Sequence, residues 1–160
     1  MSVVPMPVQP GADILAAYPL VEQMFSRHGC SEVRDDGIDA FLAQPGHALL
    51  VFTEDPMRFK ETLDLVVIVP QLQRAFPGRF AVGVLLPEAA RKVQVRYGFN
   101  RWPALVMVKD GQYVGAIDGL RNWDEYMQQM QALLDAAPTR PPSVGIAVRG
   151  PGTAAGGCAA

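Results

Sequence analysis

Glu54, Asp55, Arg58, Glu61 and Asp64 crowd into the stretch TEDPMRFKETLD, with Lys60 between them. Carboxylates gathered this way can attract a basic partner. The same charges at a helix start would serve the dipole and solubility, where each exposed pair contributes only ~0.2 to 1 kcal/mol. A second candidate is the run NRWPAL, in which Arg101 and Trp102 precede Pro103. Trp102 is either an exposed anchor for a peptide or a lid on the local core. Trp123 stands beside a helix cap and reads as structural.

Other chemistry finds little support. The only cysteines are Cys30 and Cys158, with no CxxC and no Cys/His cluster at metal-ligand spacing, so a structural zinc site is not expected. Two reduced, unbridged thiols are the expected state. His28 and His47 stand apart from each other, and no Ser or Cys partner marks either as a catalytic base. Asp118 serves a turn, with no second carboxylate fixed opposite it. Gly145 and Gly150 lie in the tail and follow no strand, so a phosphate loop and nucleotide binding are unsupported. No cofactor is expected.

Those residues need a scaffold, and 160 residues that are 49% hydrophobic can bury one core. A formal net charge of -2 without a basic block argues against a nucleic-acid surface. MSVVPMPVQPG lacks the features of a secretory signal, and the longest apolar run, Leu65 to Pro70, is far short of the roughly 20 residues of a membrane span. The protein is expected to be soluble and cytoplasmic. Residues 1–11 are expected to be flexible, 12–137 to form the domain, and the Pro/Gly/Ala-rich residues 138–160 to be disordered.

Within the domain, Pro19 opens a short amphipathic helix stopped at Gly29, Ser31 to Arg34 forms a brief strand, and a small helix ends before Pro45. HALLVFT (47–53) and FAVGVLL (80–86) read as buried strands. Between them KETLDLVVIVPQLQRAF reads as a helix kinked at Pro70, since Leu65, Ile68, Val69, Leu72 and Phe76 keep a 3.6 period. Strand, helix and strand make a right-handed crossover with parallel strands. Another helix runs from Pro87 to Tyr97. Strands 104–109 and 112–117 flank Asp110-Gly111, a hairpin pair. Asn122 and Glu125 resemble a capping box for a final helix.

This order, with the stretch YGFNRWPALVMVKDGQYVGAIDGL, resembles the thioredoxin fold, an α/β architecture with a mixed central sheet flanked by helices. Tyr97-Gly98, Pro103, Asp110-Gly111, Gly119 and Pro70 stand where that fold carries its signature residues, over roughly residues 47–134. The resemblance implies a cis Pro103 beside the loop that follows the first central strand. A thioredoxin carries Cys-x-x-Cys in that loop, because exchange needs a thiolate at a helix N-terminus and a resolving thiol one turn away. This chain has TEDPMRFKETLD there, whose only sulfur is that of Met57.

With its thiols gone, Asp55, Pro56 and Arg58 after the strand, and NRWPALVMVKDGQYVGAIDGLRNWDEYM near the end, the chain is similar to the accessory proteins of nickel-iron uptake hydrogenase maturation. That resemblance implies a non-enzymatic chaperone for the hydrogenase small-subunit precursor and its twin-arginine signal peptide, alongside other maturation proteins. The expected site is a groove between Glu54, Asp55, Arg58, Glu61 and Asp64 on one side and Arg101, Trp102 and Pro103 on the other, the carboxylates pairing with the signal's arginines. Two other readings stand beside it: a thiol enzyme using Cys30, and a scaffold for another assembly.

Overall fold

The computed structural model describes residues 10–142, with side chains placed from Ile14 onward. The expectations for residues 1–9, for the tail beyond residue 142 and for Cys158 lie outside the described residues. Six helices and five strands follow in the order α1 (Pro10–Ala17), α2 (Pro19–Ser26), β1 (Ser31–Glu32), α3 (Ile38–Leu42), β2 (His47–Phe52), α4 (Glu61–Ala75), β3 (Ala81–Leu85), α5 (Pro87–Gln94), β4 (Ala104–Lys109), β5 (Gln112–Asp118) and α6 (Trp123–Asp135). The strands form one mixed sheet, ordered β1-β3-β2-β4-β5. β2 and β3 run parallel across the α4 crossover, and β4 lies antiparallel to both β2 and β5.

Strand alternation divides the core into two layers. Leu49 and Val51 of β2, with Leu105 and Met107 of β4, face the layer shared with α2, α4 and α6. Their neighbours Ala48, Leu50 and Phe52, with Ala104, Val106 and Val108, face the layer shared with α3 and α5. Both faces of the two strands are therefore buried, which is why HALLVF and ALVMVK carry almost no polar residue. Gly83 in β3 makes room for α3: a Cβ there would stand 2.7 Å from both Phe41 and Val33.

The local signals act as their chemistry dictates. Asp110 and Gly111 take φ of 50° and 79°, the doubly positive turn that joins β4 to β5. Asn122 Oδ1 accepts the Glu125 N–H at 2.9 Å and so caps α6, while Asn122 Nδ2 donates to Glu125 Oε1 at 2.7 Å. α4 continues through Pro70, which is buried on its inner side. The Trp102–Pro103 bond is cis, and Pro103 O accepts the Gly119 N–H at 2.9 Å.

Two differences from the sequence reading concern the entry and the element ends. The sequence reading has no helix before Pro19, yet α1 begins at Pro10, so Pro10 and Gly11 belong to its first turn. Its partly buried Ile14 and Leu15, with Tyr18 just after it, pack against the α2–α4–α6 layer, and this tertiary contact outweighs the weak local pattern. The helix expected to reach Tyr97 ends at Gln94, and the remaining residues turn toward Gly98, whose φ is 69°.

Candidate partner-binding site

β2 ends at Phe52 opposite Ala104, the first residue of β4. The loop after β2 and the residues before β4 therefore lie at the same end of the sheet, where the carboxyl ends of the parallel strands converge. Phe52 links them from below. Its ring meets Trp102 edge-on at 6.4 Å and Phe99 at 4.9 Å, and Phe99 meets Trp102 at 5.0 Å. Trp102 is thus half lid and half surface, and Pro103 beneath it is buried.

The acidic residues do not act as one set. Glu54 is only 5% exposed and turned toward α5, where both its oxygens accept from Arg91: Oε2 from Nε at 2.9 Å and Oε1 from a terminal nitrogen in a short contact. Its Oε1 also accepts the Asp55 N–H at 2.8 Å. Burial alone would raise the Glu54 carboxyl, but the bonds from Arg91 and the Asp55 N–H, with the positive charge of Arg91 and Arg58, outweigh it and hold the group below the ordinary carboxylate range. Thr62 closes the loop from beneath, its Oγ1 donating to Glu54 O at 3.0 Å. The sequence alone places Glu54 among the carboxylates open to a partner; in the folded chain it is occupied by Arg91.

Asp55 accepts the Met57 N–H at 2.9 Å and makes no ion pair among the described residues. Arg58, in the loop before α4, and Glu61, the first residue of α4, are exposed. Asp64 lies on the side of α4 toward α6. Burial raises the Tyr126 phenol, the Arg121 N–H and charge oppose that, and the Asp64 carboxylate adds to the rise. Arg101 is exposed, and its side chain runs beside Gly119, at 3.3 Å from where a Cβ would stand. Asn100 N–H donates to Asp118 at 3.2 Å, which ties the loop before Pro103 to the end of β5. Among the described residues no hydrogen bond or ion pair joins the acidic loop to Arg101, Trp102 or Pro103.

Arg91 is the residue beside the candidate site that sequence reasoning missed. Its only signal was a basic residue in a helix that follows β3, and its partner lies 37 residues earlier. Cys30 is buried in the α2–α4 layer, and burial pushes its thiol up to about 11, opposed in part by the Gln73 amide at 4.0 Å. Gln73 stands twelve residues along α4 from Glu61, about 18 Å at 1.5 Å per residue, so the sulfur is remote from the loop after β2. Among the described residues there is no cluster of potential metal ligands and no helix long and apolar enough to cross a membrane.

A mixed five-stranded sheet, helices on both faces, and a loop with carboxylates where a dithiol would stand define a thioredoxin-like protein that lacks the cysteine pair. A point mutant of the thioredoxin from Halobacterium salinarum NRC-1 shares the fold, with a TM-score of 0.55 and 21% identity over 68% of this chain and 94% of that one. The profile of the family described as "Hydrogenase-1 expression protein HyaE" matches residues 20–126, and the chain belongs to that family. It is 39% identical over 135 residues to the hydrogenase expression/formation protein HoxO of Cupriavidus necator, covering 83% of this chain and 84% of that protein. It is also 34% identical over 119 residues to the hydrogenase expression/formation protein HupG of Rhizobium leguminosarum bv. viciae, covering 72% of this chain and 80% of the relative.

Proposed function

We propose that this protein is a redox-inactive, non-enzymatic, cytoplasmic chaperone of nickel-iron hydrogenase maturation that binds the small-subunit precursor at its twin-arginine signal. The observation that carries the reading is the substitution of chemistry at one place: a chain of the hydrogenase-expression family holds Asp55, Arg58, Glu61 and Asp64 where a thioredoxin holds its thiols. A charged loop without a thiol favours recognition at that end of the sheet. Asp55, Glu61 and Asp64 supply carboxylates for the signal's arginines, Arg58 and Arg101 set register, and Trp102 over Pro103 offers an aromatic face. Glu54 acts from beneath by fixing the loop. Cys30 is buried, stands away from this loop and has its thiol pushed up to about 11 by that burial, which supports binding over thiol chemistry.

The test is capture of the tagged small-subunit precursor by the purified full-length chain, with and without the precursor's signal. Wild type is expected to retain the intact precursor and release the truncated one, and to leave insulin disulfides unreduced. Charge reversal of Asp55, Glu61 and Asp64 together is expected to weaken capture at least tenfold, about 1.4 kcal/mol. Equal capture of intact and truncated precursor would remove the signal from the reading, and unaided insulin reduction would remove the chaperone.

A further inference from the structure

An open groove of about 1030 Å³ lies on the other side of the loop after β2 from Pro103, walled by α1, the β1–α3 connection and the start of α5. Its floor is apolar, with Tyr18, Val33, Leu86 and Pro87. At its edge Met57 is 80% exposed, the most exposed large apolar side chain among those described. An unbranched thioether left in water beside an apolar floor is suited to moulding itself around an incoming hydrophobic segment.

The charges of the rim are not neutral once their pairs are assigned. Arg34 is taken by Glu32 at 2.8 Å, Lys92 stands 3.6 Å from both Asp35 and Glu88, and Arg91 is taken by Glu54. Asp36 and Asp55 line the same groove and form no ion pair within 4 Å among the described residues; Arg34 and Arg91 feel their charge but are bonded to Glu32 and Glu54, so the acids of the lining outnumber its cations. The groove therefore combines an apolar floor, an adaptable apolar edge and an excess of carboxylates over cations.

We infer that this groove receives an apolar peptide run of the partner that carries a cationic flank, the run lying on Tyr18, Leu86 and Met57 and the cation reaching Asp36 and Asp55. This rests on the partner reading above and extends it: Asp55 belongs to both surfaces, so the occupant of the loop continues into the groove toward α1. A second copy of this chain is a poorer occupant, because its own net charge of -2 offers no surplus of cations to an acidic rim.

The probe is a synthetic peptide with an arginine pair followed by a leucine-rich run, titrated calorimetrically into the full-length chain, with two control peptides in which glutamates replace the arginines or serines replace the run. Met57→Glu and the double change Asp36→Asn with Asp55→Asn are each expected to weaken the arginine–leucine peptide about tenfold, whereas Asp135→Asn, an exposed acid at the far end of α6, leaves it within about twofold. Asn at position 55 keeps an oxygen for the Met57 N–H, and matching unfolding midpoints certify that the variants fold. Both control peptides are expected to bind more weakly than the parent. Unchanged peptide affinity in the groove variants overturns the inference, and if those variants also capture precursor as wild type does, the chaperone reading stands without it. A wild type that captures no precursor at all takes both down. A concentration-dependent dimer abolished by Met57→Glu, with no peptide bound, assigns the groove to a second copy and overturns the inference.

Discussion

Glu54 is placed by the residues around it: β2 delivers it to the sheet end, Thr62 holds its carbonyl from α4, and Arg91 reaches across from α5 to cover both its oxygens. Taking either partner away strands the other. Arg91 is 48% exposed, so water screens its side of the pair, and Arg91→Ala is expected to destabilise by about 2 kcal/mol, below the figure for a wholly buried pair. The pH signature follows from the direction of the Glu54 shift. A carboxyl held below its unfolded value contributes stability that is complete above that value, near ~4.3, and is lost as pH falls through the lower folded value. Thermal unfolding across acid pH is therefore expected to show a wild type more stable than Glu54→Gln at pH near 7, with the gap closing below about pH 4. A gap that stays constant down the acid limb would mean the pair does not titrate with folding. This role was not legible in the sequence, where Glu54 is simply the first of several acids. Burial and an ion pair 37 residues distant are tertiary facts that no local pattern announces.

Elements whose period or punctuation is strong were readable, and those held by packing were not. The continuous apolar runs of β2 and β4, the Asp110-Gly111 turn and the Asn122 cap each state their own geometry through steric or hydrogen-bonding rules that operate within a few residues. The first helix does not, because PGADILAA offers a proline and a glycine in its opening turn and takes its stability from α2 and α5. The β4–β5 turn shows how such a local device also serves the assembly. Gly111 has φ of 79°, and a Cβ there would collide with the Leu42 carbonyl at the end of α3. Gly29 has a similar φ of 67° but open space around its missing Cβ. Gly29→Ala should therefore lose only the left-handed backbone preference, about 1 kcal/mol, while Gly111→Ala adds a backbone collision and should lose about 3 kcal/mol. Denaturant unfolding of the two variants measures the difference directly. Equal losses would show that α3 yields to the turn at no cost.

At the scale of the whole molecule, two packed layers fix the sheet while almost everything proposed for recognition sits on loops at its one end. The fold was legible because the continuous apolar runs of β2 and β4 mark strands buried on both faces, and the order of elements around them resembles the thioredoxin fold. The surface was only half legible, since the acidic loop announces itself by composition but the groove beside it is built from α1, β1 and α5, which meet only in three dimensions. A carboxylate-bearing loop over a rigid sheet should govern encounter more than residence: its field reaches about a Debye length, ~10 Å at 0.1 M salt and ~3 Å at 1 M, whereas apolar contacts are indifferent to that range. Surface plasmon resonance with immobilised precursor is thus expected to show the association rate falling several-fold between low and high salt, with a dissociation rate that changes little. Charge reversal of Asp55, Glu61 and Asp64 should flatten that salt dependence, and Met57→Glu should instead speed dissociation. A salt effect confined to dissociation would place the carboxylates in desolvated, short-range contacts with the partner and remove their steering role.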